Sequence, residues 1–286
     1  MVIITNFVIE TTSANLCMLK KEFSKIYDGT SHIQEIIPIQ PTGEFPVISR
    51  DLQLLHTFAQ KNPIYYNSYP ETNLSTPCMV YEGDINEHWL NSIKHSSSCQ
   101  PFYPTWIFSA YLLVLSIKNK GYKGIVDIGS GDGRIAFCGK ILGLESHSIE
   151  IDDGLIQLQN EIVSSTGMDF KPICADALDF DYGQFSIKHN AFFIGGLPQM
   201  GGDILANSII EKVFSLDRTQ TCFVFAGSYS KKHLSGIQKL GGWSKLIEKH
   251  NLRESGILSL PTVWTFDQDV DTPYIFALSK SENSKK

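Results

Sequence analysis

Long apolar runs and a basic leader are both missing from this sequence. A membrane-spanning helix needs about 18 consecutive apolar residues, and the longest uncharged candidate, residues 106–117, is about two-thirds of that length. The first residues, MVIITNFVIETTS, place no basic region before their apolar run, so no secretory signal is predicted. These absences predict a cytoplasmic protein with no membrane partner.

Basic residues are also fewer than acidic ones. The chain carries 24 Lys and Arg against 30 Asp and Glu, which gives a net charge of −6. Because no global positive field attracts phosphates, a protein that coats duplex DNA is excluded and no strong nucleic-acid footprint is expected. The composition, 42% hydrophobic and 19% charged, is typical of a folded globular protein.

The closely spaced cysteines that hold structural metals are absent too. The six cysteines, at positions 17, 78, 99, 138, 174 and 222, form no CxxC motif, and three of them lie inside apolar runs. Buried, reduced thiols are therefore favoured over a metal site. His88 and His95 have no carboxylate pattern of metal-site type near them, so no metal is predicted.

The organisation of the chain changes near residue 100. Before that point, short apolar groups are separated by segments rich in Asn, Ser, Thr and Pro, which predicts a small α+β domain over residues 1–100. The serine run at 96–98 predicts a linker. Apolar runs at 2–9 and 33–39 would allow this domain to mediate self-association into a homo-oligomer or to contribute to substrate choice.

Residues 101–286 alternate strand-like and helix-like segments. The β-rich runs lie at 124–128, 147–151, 172–175, 191–195 and 221–226, and helix-like segments lie at 134–142, after the predicted cap Asp153, and at 203–214. This alternation predicts a doubly wound, mostly parallel Rossmann-like α/β sheet with ligands at the carboxyl ends of the strands. Two further runs, at 257–266 and 273–279, predict a C-terminal antiparallel hairpin that completes seven strands.

A glycine-rich turn follows the first of these strands, in the sequence DIGSGDGR over residues 127–134. Its glycines, Gly129, Gly131 and Gly133, let the chain turn tightly and bring backbone amides close to a nucleotide-like ligand. The spacing is not the GxGxxG of dinucleotide-binding proteins, because the third glycine comes one position early. Residues 133–140 also lack the spacing and the Ser or Thr of a Walker A loop, so NAD and nucleoside triphosphates are the weaker choices.

Three carboxylates lie within or directly after successive strands. Asp127 lies inside an apolar run, where an unpaired carboxylate is destabilising, so a ligand or a loop amide must satisfy it. Glu150 is placed to accept ribose hydroxyls, and Asp176 is placed to accept from the exocyclic amine of an adenine. Taken singly, Glu150 and Asp176 are also consistent with ordinary helix caps.

In this order the motifs make residues 101 to about 230 resemble the class I S-adenosylmethionine-dependent methyltransferases. DIGSGDGR resembles their glycine-rich first motif, Glu150 their ribose-binding acid, and Asp176-Ala177 their adenine-loop pair. Together with residues 101–105, the motif is further similar to small archaeal relatives of the disruptor-of-telomeric-silencing lysine methyltransferases. The resemblance implies S-adenosylmethionine as cofactor and a binding site formed by Tyr103, Thr105, Asp127, Gly129, Ser130, Gly131, Gly133, Glu150, Ile151, Asp176, Ala177 and Gly195.

The segment after the fourth strand departs from known acceptor sites. Residues 193–199, FIGGLPQ, lack the Asn or Asp, two prolines and aromatic residue of enzymes that methylate amino groups of nucleobases or glutamine. No cysteine lies between Cys174 and Cys222, as a cytosine carbon-5 enzyme would need, and no catalytic residue is predicted. The resemblance favours a protein side chain such as lysine as acceptor. RNA, a small molecule, or a non-catalytic cofactor-binding module are the alternatives, and residues 1–100 are a candidate lid over the pocket.

Overall fold

The N-terminal third of the chain builds the smaller of two β-sheets. The computed structural model describes residues 6–92, 101–185, 189–216, 220–228 and 240–280, so the linker predicted at 96–98 lies outside the described residues. The first elements are α1 (Asn6–Ile26), β1 (Ile33–Pro38), α2 (Ser49–Lys61), β2 (Tyr65–Asn73), β3 (Thr76–Gly83) and α3 (Asn86–Ser92). The three strands pair antiparallel in the order β1-β3-β2.

The larger sheet carries the predicted alternation of strands and helices. Its elements are α4 (Ile107–Asn119), β4 (Gly124–Ile128), α5 (Arg134–Ile141), β5 (Glu145–Glu150), α6 (Asp153–Thr166), β6 (Pro172–Cys174), β7 (Asn190–Ile194), α7 (Gly202–Leu216), β8 (Cys222–Ala226), α8 (Ser244–Lys249), β9 (Leu252–Leu260) and β10 (Thr272–Ser279). The strand order is β6-β5-β4-β7-β8-β10-β9, in which β10 runs antiparallel to both neighbours and the other pairs are parallel. The predicted doubly wound sheet with a C-terminal antiparallel hairpin is confirmed.

The first strand of the hairpin begins and ends earlier than its apolar pattern indicated. β9 covers Leu252–Leu260, whereas the sequence predicted 257–266. Pro261 ends the strand, because a proline has no N–H to donate to a β-ladder. Thr262 then caps a short 3₁₀ turn, Val263–Thr265, in a capping box with Thr265. The end of the predicted strand is therefore a turn that carries Trp264.

Helix α6 begins one residue away from its predicted cap. Asp152, not Asp153, is the N-cap residue: its backbone is extended, and its Oδ1 accepts a hydrogen bond from the N–H of Leu155 at 3.0 Å. Asp153 already has helical backbone and lies in the first turn, where its negative charge favours the positive end of the helix dipole.

The two sheets share one hydrophobic core. Helix α1 packs on β9 and α4, and α2 packs on α5 and α6, so buried side chains of the N-terminal elements are continuous with those of the larger sheet. Helix α4 is buried from Ile107 to Ile117, yet neither it nor any other helix in the described part of the chain is long and apolar enough to cross a membrane. The assignment of residues 1–100 to a domain of their own stays a prediction.

Candidate functional site

A cavity of about 510 Å³ lies at the carboxyl ends of the parallel strands. It extends from the end of β6, past β5, β4 and β7, to residues of β8 and β10. Eleven of the twelve residues singled out in the sequence line it, namely Tyr103, Thr105, Asp127, Gly129, Ser130, Gly131, Glu150, Ile151, Asp176, Ala177 and Gly195. Parallel strands end at a common edge of the sheet, which is why residues far apart in sequence meet here.

Gly133 is the exception, because it faces the core rather than the cavity. Its φ of 77° is in the left-handed region, and a Cβ there would lie 2.4 Å from the Phe170 ring. Gly133 is therefore needed for close packing of the turn against Phe170, which is fully buried.

The amides of the glycine-rich turn point into the protein. The N–H groups of Gly129 and Ser130 donate to the carbonyl of Ile149, and the N–H of Gly133 donates to the carbonyl of Ser130. The N–H of Gly131 donates to the Glu150 carboxylate at 2.9 Å. These four N–H groups therefore already have partners within the protein, and the approach of amides at the start of α5 to a ligand stays a prediction.

Glu150 holds the turn and the start of the next loop together. One carboxylate oxygen accepts from Gly131, and the other accepts from the N–H groups of Ile151 at 2.9 Å and Asp152 at 3.1 Å. Burial raises the pKa of Glu150, and these three hydrogen bonds oppose that rise. A carboxylate has about four accepting positions, so one remains for a ligand.

Asp127 has an oxygen that nothing in the described structure satisfies. The residue is 4% exposed, and its Oδ2 is buried without a hydrogen-bond partner. Burial raises the pKa of Asp127 well above its usual range; the backbone N–H of Ala136 lowers it, and the negative charges of Asp132 and Glu150 raise it further. The sequence argument that this buried carboxylate needs a partner is answered only in part, by Ala136.

Asp176 begins the turn after β6. Its Oδ1 accepts from the N–H of Leu178 at 2.8 Å, but residues 177–179 form a turn, so Asp176 is not the helix cap that the sequence left open. Asp176 and Ala177 nevertheless line the cavity beside Glu150, where they form its β6 end.

Residues 101–105, the segment before α4, form a second wall of the cavity. Thr105 is buried and pairs with Thr262 in an isolated β-bridge, while Tyr103 is half-exposed at the rim, its ring 6.2 Å from that of Trp264 and edge-on to it. Phe102 lies against the glycine-rich turn, since a Cβ on Gly131 would come within 2.6 Å of its ring.

Gln159 supports the turn from α6 and was missed by the sequence analysis. Its side chain is fully buried, donates to Ser130 Oγ at 2.9 Å and to the Gly131 carbonyl at 2.7 Å, and accepts from Ser148 Oγ at 2.6 Å. An amide within the apolar stripe of a helix is the signal that was available. No motif marks Trp89 or Trp264, which also line the cavity.

Acidic side chains outnumber basic ones in the polar part of the lining, although the raised pKa of Asp127 favours its neutral form. Five acids line the described wall, namely Asp127, Asp132, Glu150, Asp152 and Asp176. The one base in that described lining, Arg134, donates to Asp132 at 2.8 Å and to Glu35 at 3.1 Å, so carboxylates already balance its charge. A cationic ligand therefore fits this part of the cavity better than an anionic one.

The cavity becomes apolar toward β8 and β10. Side chains without charge line this part, namely Leu197, Met200, Leu205, Val224, Ala226, Trp264 and Tyr274. Burial raises the pKa of Tyr274, so its phenol stays protonated and neutral. In the described residues no group of three His, Cys, Asp or Glu side chains is arranged to hold a metal ion.

Comparison with known proteins bears on the fold. No protein-family model matches the chain, and no curated protein matches it in sequence. A putative RNA methyltransferase, PH1948 from Pyrococcus horikoshii, aligns with a TM-score of 0.50 at 14% identity, covering 84% of this chain and 100% of that one. This chain has the class I methyltransferase fold.

Two structures of MtNAS align less closely. A mutant in complex with S-adenosylmethionine has a TM-score of 0.43 at 14% identity, covering 80% of this chain and 73% of that one. The alignment with the complex with MTA and tNA has a TM-score of 0.41 at 14% identity and covers 62% of each chain. The assignment of the fold rests on the PH1948 alignment and the strand order, and the narrower resemblance to archaeal lysine methyltransferases stays a prediction.

Proposed function

We propose that the protein is an S-adenosylmethionine-dependent methyltransferase. The observation that carries the proposal is the acid-lined cavity at the strand ends of a methyltransferase fold, with Glu150 at its centre and an unsatisfied oxygen on Asp127. S-adenosylmethionine carries a positive sulfonium and an ammonium group, which negative surroundings attract.

The same observations argue against a dinucleotide. A pyrophosphate is bound by free amides at a helix N-terminus or by cations. Four amides of the glycine-rich turn are already bonded within the protein, and Arg134 is already paired with carboxylates. A phosphate placed at this turn would meet negative charge instead of donors.

The residues present fit S-adenosylmethionine along the length of the cavity. Glu150 keeps one accepting position for a ribose hydroxyl, and Asp176 and Ala177 lie at the β6 end, where the resemblance puts the adenine. Tyr103, Thr105 and Gly195 would border the methionine end. When bound, the cofactor supplies a methyl group already activated by its sulfonium, so the protein chiefly has to position the acceptor.

The acceptor we propose is a protein side chain such as lysine. The uncharged lining toward β8 and β10 supports this, because an amine entering an apolar compartment is desolvated and its pKa falls, which favours the nucleophilic neutral form. Trp89 lines the cavity from α3 and supports the proposal that residues 1–100 contribute to acceptor choice as a lid. Self-association through this region and a cytoplasmic location remain predictions from the sequence.

Isothermal titration of the purified protein tests the cofactor. We expect heat of binding with S-adenosylmethionine and with its demethylated product, and none with NAD. The Glu150→Gln variant should bind about tenfold or more weakly, because one charge-assisted acceptor is lost. Glu145→Gln is the matched control, since that carboxylate lies on the same strand, is 61% exposed, and pairs with His147 at 3.1 Å. Binding of NAD alone would overturn the proposal.

Transfer of labelled methyl groups tests the acceptor. Purified protein is incubated with tritiated S-adenosylmethionine and fractionated lysate of its source. Label in protein supports a side-chain acceptor. Label in RNA or small molecules replaces it with that class, and binding without transfer to any fraction identifies a non-catalytic module.

A further inference from the structure

A buried cluster of charges surrounds Arg134, the first residue of α5. Its guanidinium donates to Asp132 (Nε to Oδ1, 2.8 Å), to Glu35 (Nη1 to Oε1, 3.1 Å) and to the carbonyl of Thr105, and it lies 3.4 Å from the Tyr65 hydroxyl. Arg134 is 2% exposed, so these contacts replace water as its hydrogen-bond partners.

The N-terminal part of the chain supplies Glu35 and a further member of this cluster, Asn62. Glu35, on β1, uses its second oxygen to accept from the N–H of Ile107 at the start of α4, at 2.6 Å. Asn62, at the end of α2, donates to the other oxygen of Asp132 at 2.8 Å and accepts from the N–H of Ile64. Glu35, Asn62 and Asp132 are each 1% exposed.

The cluster joins the two walls of the cavity. Asp132 belongs to the wall formed by the glycine-rich turn, Thr105 belongs to the wall formed by residues 101–105, and both line the cavity. Arg134 bonds to both walls, and Glu35 and Asn62 fix Arg134 and Asp132 from behind. No sequence motif marks this arrangement, because its members come from β1, the end of α2 and the start of α5.

The burial of these charges makes the loss of a partner costly. One guanidinium faces two carboxylates, all of them nearly inaccessible to solvent, so an ion that loses its partner is left buried and uncompensated. Because Glu35 also holds the first N–H of α4, a shift of Glu35 would move both the turn and the residues before α4. The spacing of the walls is therefore coupled to the N-terminal part of the chain.

We propose that Glu35 and Asn62 are positioning residues, which hold the two walls of the cavity in register and through them set the affinity for the ligand. The ligand part of this proposal rests on the proposed binding of S-adenosylmethionine. The N-terminal part of the chain thus acts on the cavity through Glu35 and Asn62 as well as through Trp89, which lines it. Glu35 and Asn62 do not touch the ligand.

Two pairs of variants test this. Asn62→Ala is compared with Asn73→Ala. Asn73 is another buried asparagine, and its side-chain amide donates at 2.8 Å to the carbonyl of Leu19, within the N-terminal part of the chain. Glu35→Gln is compared with Asp51→Asn, a buried carboxylate on α2 that accepts from Tyr111 of α4 at 2.9 Å. Each variant is measured well below its own melting temperature, by titration with S-adenosylmethionine and by hydrogen exchange of the free protein.

All four variants should have a lower melting temperature than the wild type, but ligand affinity and hydrogen exchange should distinguish them. Asn62→Ala should weaken binding about tenfold, as expected for the loss of one buried hydrogen bond to a carboxylate, and should speed exchange within 129–134 and 101–105. Asn73→Ala should change neither. If Glu35→Gln does not fold, Asn62→Ala still decides. Equal effects of Asn62→Ala and Asn73→Ala on both readouts would overturn the proposal. If the wild type does not bind S-adenosylmethionine, the proposed function fails, and the exchange comparison alone decides whether these residues hold the walls.

Discussion

Replacing Gln159 by methionine should loosen the glycine-rich turn without changing the size or charge of the side chain. Three hydrogen bonds disappear, to Ser130, Gly131 and Ser148, and the Gly131 carbonyl and Ser148 hydroxyl are left buried without these partners. At about 1 kcal/mol net for each bond, the free energy of unfolding should fall by about 3 kcal/mol. For a chain of this length that corresponds to a melting temperature lower by roughly 6 °C.

Gln157→Met provides the matched control, because it makes the same exchange two residues away on the exposed face of α6. Thermal melting monitored by circular dichroism should separate the two variants, and titration with S-adenosylmethionine should show weaker binding for Gln159→Met only. A Gln159→Met protein that melts within about 1 °C of Gln157→Met would refute the reasoning, since the three bonds would then contribute nothing.

Three further changes have defined outcomes. Burial raises the pKa of Asp127. Between the ordinary pKa of an aspartate and this raised pKa, the folded state keeps a proton that the unfolded state has released, so the stability of the wild type falls as pH rises. The melting temperature of Asp127→Asn minus that of the wild type should therefore increase from pH 5 to pH 8 in thermal scans, and a constant difference would contradict this. Gly131→Ala should weaken cofactor binding in titrations, because the added Cβ would meet the Phe102 ring. Gly143 also has a positive φ, but a Cβ there would meet no other atom, so Gly143→Ala should only lower the free energy of unfolding, by about 1 kcal/mol. Lys20→Met should lower the urea-derived free energy of unfolding by about 3 kcal/mol or more, since Asp271 loses its buried partner; a change below about 1 kcal/mol would count against the ion pair.

The sheet and the edge at which the cavity lies could be predicted because their signals are local. β4 occurs where a run of apolar or small residues, interrupted only by Asp127, meets a glycine-rich turn, and its observed bounds, Gly124–Ile128, match the prediction. Once the parallel order is known, side chains at successive strand ends must converge, so Glu150 and Asp176 meet Asp127 in one cavity.

The supports of the cavity could not be predicted, because their partners are set by tertiary structure. Glu35 and Asn62 are ordinary polar residues in sequence, and their role depends on Arg134, which lies 99 positions from Glu35. The sequence did not show which carboxylates would surround Arg134. Likewise, the direction of the turn's amides depends on β5, whose end supplies the Ile149 carbonyl.

The attachment of α1 to the last strands has a consequence for synthesis on the ribosome. Ser13 donates to the carbonyl of Ser259, 246 positions later, and Lys20 binds the carbonyls of Thr265 and Gln268. At about 5–20 residues per second, roughly 12–50 s pass between emergence of the helix and emergence of its partners. During that interval the apolar side chains of α1, including Leu16 and Phe23, have no native surface on β9 to cover them. We therefore expect α1 to be the segment of the nascent chain that a ribosome-associated chaperone occupies longest.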